Sequence, residues 1–107
     1  MAADNRLNVT KATSVASIKR QFMHDYKLHL EVYHGNNQIA DDDIKIHELT
    51  KGEFKGGELV MGSRCRVGNV EKYFKRDYGI KVQIKYDDNG ELRLAPDTYT
   101  LNQAKGL

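Results

Sequence analysis

The chain has 107 residues, the size of one compact domain, and half of it would bury too little apolar surface to fold without a disulfide or a metal. With 39% hydrophobic residues, 30% charged residues and a formal net charge of +2, it reads as a polar-surfaced protein whose charge alone does not argue for nucleic acid. Its one cysteine, Cys65, excludes an internal disulfide and suits a reducing compartment. There is no apolar leader core and no run near the ~18 apolar residues of a membrane helix, so a cytoplasmic, membrane-free protein is expected.

In chain order, Leu7 to Thr10 alternates apolar and polar residues as a half-buried strand does. Thr13 or Ser14 can cap a helix on which Val15, Ile18, Phe22 and Tyr26 share a face, ending near Lys27. Leu28, Leu30 and Val32 then alternate with His29, Glu31 and Tyr33, and Gly35-Asn36-Asn37 supplies turn residues. Residues 34 to 56 are too long for a simple hairpin. Ile39, Ile44, Ile46, Leu49 and Phe54 are expected to anchor a short strand and a helical turn there, before Gly52 and Gly56-Gly57. A strand follows around Glu58 to Gly62, then a helix whose face carries Val67, Val70, Phe74 and Tyr78, closed by Gly79. Ile80, Val82, Ile84 and Tyr86 alternate as a strand, Asp88-Asn89-Gly90 makes a hairpin turn, and Glu91 to Leu94 returns. The tail from Pro96 to Ala104 is expected to hold one more helical turn.

These elements say one thing twice. Val15, Ile18, Phe22, Asp25, Tyr26, Leu28, Leu30 and Val32 recur about 52 positions later as Val67, Val70, Phe74, Asp77, Tyr78, Ile80, Val82 and Ile84. Leu7 and Val9 match Leu59 and Met61. After about three inserted residues, Ala40, Asp42, Ile46 and Leu49 match Ala95, Asp97, Leu101 and Ala104. A period of this length fixes architecture before chemistry. The expectation is a single α+β domain, 1–107, of two tandem β-α-β repeats, about 6–57 and 58–107, sharing one core. Tandem units give β-α-β-β-α-β, the ferredoxin-like or split βαβ order, with a mixed sheet and both helices on one face. The other face would carry Asn8, Thr10, His29, Glu31, Tyr33, Val60, Lys81, Gln83 and Lys85.

An alternative plan rests on the run from the first helix through Tyr33-His34-Gly35-Asn36-Asn37-Gln38-Ile39-Ala40-Asp41-Asp42 to Gly57-Glu58-Leu59-Val60-Met61. Over about 45 residues it resembles the helix-to-last-strand portion of a ubiquitin-like β-grasp domain. The chain departs from that family in lacking a hairpin before the helix and in ending Lys105-Gly106-Leu107 instead of paired glycines, so no conjugation chemistry is carried over.

Catalytic and metal patterns are weak. His24, His29, His34 and His47 do not share the spacing of converging ligands. Asp41-Asp42-Asp43 lacks the alternation and glycine of a calcium loop, so one aspartate is expected to cap a helix. Arg64 and Arg66 flank Cys65 and favour a thiolate, but no histidine is spaced to serve as its base. Gly62 to Asn69 leads from strand to helix, where N–H groups can meet an anion, yet it lacks a phosphate loop's lysine and glycine spacing. No enzyme, cofactor, metal or small-molecule substrate is expected.

Charge is unevenly placed. Arg64, Arg66, Lys72, Lys75, Arg76, Lys81 and Lys85 outnumber Glu71 and Asp77, whereas residues 41–58 hold six acids against three lysines. The leading expectation is a cytosolic protein-binding module, its partner another protein or a second copy, met through His29, Glu31, Tyr33, Lys81, Gln83 and Lys85 or at a free strand edge. The alternative is nucleic-acid binding by Arg64, Arg66, Lys72, Lys75 and Arg76. The strands around Leu7 and Leu59 carry no aromatic side chain on which bases could stack.

Overall fold

Leu7 and Val9 turn inward from β1 (Asn5–Val9), the first element of a computed structural model that describes residues 5–34, 38–50, 56–62 and 64–107. Helix α1 (Val15–Tyr26) begins where the Ser14 hydroxyl accepts the Ser17 N–H at 3.3 Å, and it buries Val15, Ile18, Phe22 and Tyr26. It ends on Lys27 in the left-handed region, φ 57°, a conformation that costs a side-chain-bearing residue. Strand β2 (His29–His34) follows, then the two-residue β3 (Gln38–Ile39) and the single turn α2 (Ile46–Leu49). The Gly35 to Asn37 turn and the expected roles of Gly52 and Phe54 lie outside the described residues.

The second half opens with β4 (Gly57–Met61) and α3 (Val67–Tyr78), which buries Val67, Val70, Phe74 and Tyr78 and stops at Gly79, φ 67°. Strand β5 (Lys81–Asp88) turns through Asn89 and Gly90, both at positive φ, into β6 (Glu91–Leu94). Helix α4 (Leu101–Lys105) starts on a reciprocal capping box between Thr100 and Gln103.

Strand pairing departs from the expected plan. Every described ladder is antiparallel, and the strands form two sheets, β1-β4 and β3-β2-β5-β6. The strands flanking α1 and α3 are not neighbours, so the described residues form neither the mixed sheet of the ferredoxin-like order nor the parallel pairing a β-grasp arrangement needs. Each long helix packs against a strand of both sheets, α1 on β1 and β2 and α3 on β4 and β5, so the helices do not sit clearly on one face of one sheet. Asn8 and Val60 therefore sit on the β1-β4 ribbon, apart from the β2-β5 face. Leu7 pairs with Leu59 and Glu31 with Gln83, so in both ladders the central pair joins residues 52 positions apart.

The core is one cluster drawn from both halves. Among the described residues its buried hydrophobic members are the apolar residues matched between the halves in sequence, from Leu7 with Leu59 to Leu49 with Ala104, and no others. Corresponding backbone hydrogen bonds recur with them. Val15 and Ala16 donate to the carbonyls of Ile44 and Asp42 at 2.9 and 3.0 Å, and Val67 and Gly68 donate to those of Tyr99 and Asp97 at 2.9 and 3.1 Å. Ile46 donates to Thr13 at 2.9 Å and Leu101 to Cys65 at 2.8 Å, while Ala40 and Ala95 donate to Val32 and Ile84, each at 2.9 Å. Tyr26 donates its hydroxyl to the Met61 carbonyl at 2.7 Å, and the Tyr78 hydroxyl lies 3.2 and 3.0 Å from the carbonyls of Leu7 and Gly57. These tyrosines fasten the last turns of α1 and α3 to the β1-β4 ribbon. A radius of gyration of 13.0 Å matches a compact chain of this length.

Candidate functional site

Alternation in β2 and β5 sends Leu30, Val32, Val82 and Ile84 into the core, so their neighbours face the other way. The ladder sets His29 opposite Lys85, Glu31 opposite Gln83, and Tyr33 opposite Lys81. All six residues expected on the contact face are thereby brought onto one surface. Tyr33 donates to Gln83 Oε1 at 2.6 Å, Lys85 forms an ion pair with Glu31, and the Lys81 ammonium lies 5.2 Å from the centre of the Tyr33 ring. Partial burial, with the Glu31 charge beside it, raises the Tyr33 hydroxyl above its usual range. The hydrogen bond to Glu31 holds the Lys85 ammonium protonated to higher pH than usual.

Two flanking strands extend this face. Ile39 is opposite Tyr33 and Leu94 opposite Lys85, which puts an apolar side chain at each margin; they are 57% and 56% exposed. Leu92, opposite Asp87, is also exposed. The surface thus has a hydrogen-bonded, charged centre between two greasy edges. The apolar margins were not among the expected site residues, although Ile39 precedes Ala40 and Leu94 precedes Ala95 at matched positions.

The basic set divides. Arg64 is exposed in the turn before α3, and the Arg66 guanidinium donates to the Thr98 carbonyl at 3.3 Å. Arg76 makes two hydrogen bonds to Asp77, at 2.7 and 3.0 Å, and lies over the Tyr73 ring, so its charge is already matched. Lys72 and Lys75 instead line a cleft of about 430 Å³ between α3, the start of β5 and the Asp97 turn, together with Arg66 and Lys81. A second cleft, of about 700 Å³, lies at the matching place in the first half, between α1, β2 and Asp42.

Glu71 occupies the floor of the smaller cleft. Although Lys75 stands four residues on along the helix, the Glu71 carboxyl turns inward, accepts the Ile84 N–H and faces Asp97. Burial first, and then the Asp97 charge, push its pKa from an ordinary 4.5 up to about 7. At the matched position Lys19 stands over Asp42 and pairs with it at 2.9 Å. One half thus holds opposite charges where the other holds two acids.

Other candidates fall away on geometry. The Asp42 side chain does not cap α1; its backbone carbonyl accepts the Ala16 N–H while its carboxylate meets Lys19. In the Gly62 to Asn69 approach, the Val67 and Gly68 N–H groups that open α3 donate to the Tyr99 and Asp97 carbonyls, and those of Cys65 and Asn69 donate to Gly62 and Arg66, so these four are not offered to an anion. His24 Nδ1 lies 3.1 Å from Asp25, and among the described residues no group of three or more His, Cys, Asp or Glu side chains gathers as a metal site. Burial raises the Cys65 thiol pKa, the reverse of what its arginine neighbours suggest. No helix among the described residues is long and apolar enough to cross a membrane. The sequence matches no protein-family model, and no curated protein or solved structure matches it.

Proposed function

We propose that this chain is a non-enzymatic, cytosolic protein-binding module of two β-α-β-derived copies in one domain, which offers the open face of its four-stranded sheet to another protein or to a second copy of itself. The duplicated reading is supported by the buried set and the backbone bonds that recur at matched positions. The observation that carries the binding reading is the face itself: Tyr33, Glu31, Gln83 and Lys85 tie one another in place, and Ile39 and Leu94 stand exposed at either side. Ordered polar groups cost little entropy on docking, and exposed apolar margins gain by being covered.

The test is affinity capture from lysate of the source cells with wild-type and Ile39→Glu/Leu94→Glu baits, read by mass spectrometry. A partner retained by wild type and by Lys72→Glu/Lys75→Glu, and lost with the face variant, supports the reading. A wild-type dimer in sedimentation that the face variant dissolves identifies the partner as a second copy. If neither difference appears, the reading fails. Nucleic-acid binding is the second reading, favoured by the convergence of Arg66, Lys72, Lys75 and Lys81 on one cleft and opposed by Glu71 and Asp97 in the same cleft. It requires oligonucleotide binding at low salt that Lys72→Glu/Lys75→Glu abolishes.

A further inference from the structure

We propose that the outer edge of β6 is a self-pairing surface, on which a second copy of this chain docks its own β6 in the opposite direction and joins the two four-stranded sheets into one of eight strands. The edge is distinct from the centre of the open sheet face and pairs whether or not that face has a partner. β6 closes one side of the order β3-β2-β5-β6, so among the described strands only β5 lies against it. All four of its residues, Glu91 to Leu94, are exposed.

Alternation along the hairpin decides which backbone groups are spare. Ala95 donates to the Ile84 carbonyl at 2.9 Å, which makes Ile84 and Ala95 a hydrogen-bonded pair. Counting by twos from it, Tyr86 with Arg93 and Asp88 with Glu91 are the other bonded pairs, the last closing the Asn89-Gly90 turn. Leu92 and Leu94 therefore aim their N–H and C=O away from β5, toward a side where no described strand lies. Their side chains stand on the same side of the sheet as Lys85 and are 48% and 56% exposed. Sheet edges are ordinarily guarded by lysine, proline or a bulge. β6 has none of these, and its register with β5 is unbroken. The opposite edge, β3, is only two residues long.

Self-complementarity selects the occupant. Antiparallel pairing about a two-fold axis allows three registers that put outward-aimed residues opposite one another. Leu92 opposite the partner's Leu92 sets Glu91 against the partner's Arg93 and Arg93 against the partner's Glu91, two cross-strand pairs of opposite charge. Leu92 opposite the partner's Leu94 sets Arg93 against the partner's Arg93, like charges face to face. Leu94 opposite the partner's Leu94 sets Leu92 against the partner's Pro96, which has no N–H to give. The first register is therefore the one formed. In it the two Leu92 residues exchange both backbone bonds, and each Leu94 lies diagonal to the partner's Leu92, so exposed apolar surface is covered along the seam. Arg93 bonds its own Asp88 at 2.6 Å and Glu91 at 3.2 Å, and a guanidinium with five N–H groups can keep both while meeting the partner's Glu91.

Sedimentation velocity of the full chain, from micromolar to millimolar concentration, tests this. A dimer forms and dissociates again on dilution. Leu92→Pro removes an outward N–H that β5 does not use, so the variant keeps its circular dichroism and stays monomeric. Arg93→Glu weakens dimerisation about tenfold or more, since two attractive cross-strand pairs become repulsive. Glu91→Arg/Arg93→Glu restores it by exchanging the charges. Ile39→Glu, at the far margin of the open face, leaves the dimer unchanged. In a mixture of isotope-labelled and unlabelled chains, intermolecular nuclear Overhauser effects connect Leu92 with the partner's Leu92. A monomer at millimolar concentration, a dimer that survives Leu92→Pro or is lost on Ile39→Glu, a charge exchange that restores nothing, growth beyond two copies, or a dimer that persists on dilution would each overturn the proposal. Capture of a different protein by a Leu92→Pro bait reads the open-face proposal by itself, so either can fail without the other.

Discussion

Replacing Glu71 with glutamine removes an acid held against its preference. The native state binds the Glu71 proton more tightly than the unfolded chain does, because its pKa rises from 4.5 to about 7. Its contribution to stability is therefore fully present below pH 4.5 and lost as pH climbs through 7. At ~1.36 kcal/mol per pH unit the full loss is about 3.4 kcal/mol, and partial exposure of the group screens this to about 1–2 kcal/mol. Glu71→Gln keeps the shape of the neutral acid and cannot ionise. Urea unfolding at pH 4.5 should thus find the two proteins similar, and at pH 8 the variant should be the more stable by about 1–2 kcal/mol. Asp97→Asn should move the Glu71 midpoint downward by removing its second cause, visible in a carbon-detected NMR titration. Parallel pH profiles for wild type and Glu71→Gln, or a Glu71 midpoint at the ordinary carboxyl value, would refute this reasoning.

Tyr78→Phe removes the hydroxyl that meets both strands of the β1-β4 ribbon and should cost about 1–2 kcal/mol in chemical denaturation. Tyr26→Phe should cost about 1 kcal/mol, and in both variants hydrogen exchange should accelerate in β1 and β4 before β2 and β5. Gly79→Ala should destabilise by about 1 kcal/mol because it forces a methyl-bearing residue to φ 67°, while Lys27→Gly, relieving the same conformation, should stabilise by about 0.5 kcal/mol. Ultraviolet titration should show one phenol ionising only near pH 12, the value to which burial, with Asp77 and Glu58 nearby, pushes Tyr78, and Tyr78→Phe should abolish that step.

Residue pairing at the offset of about 52 was enough to name the buried apolar set of the described residues, because burial depends on where side chains recur and not on which strand lies alongside. Helix ends were legible for local reasons: Ser14 caps through its own hydroxyl, and Gly79 takes the left-handed closure. Strand partners were not. Val32 and Val82 alternate inward whether β2 lies beside β1 or beside β5, and the right-handed crossover rule applies only when the strands joined by a helix share a sheet. The six face residues were recoverable since alternation fixes side, whereas both clefts were missed because they form between a helix flank and the start of a strand. The environment of Glu71 has a signal in the sequence. Matching Lys19 to Glu71 and Asp42 to Asp97 puts an ion pair and an acid pair at the same place.

The ladders β1-β4 and β2-β5 both marry a strand from the early part of the chain to one from the late part. Neither segment can complete those ladders by itself, so productive collapse waits on encounters remote along the polypeptide, and folding is slower than its helices alone would give. Because of the same cross-bracing, refolding at rising protein concentration should yield intertwined dimers, in which the front of one molecule accepts the back of another, detectable by sedimentation.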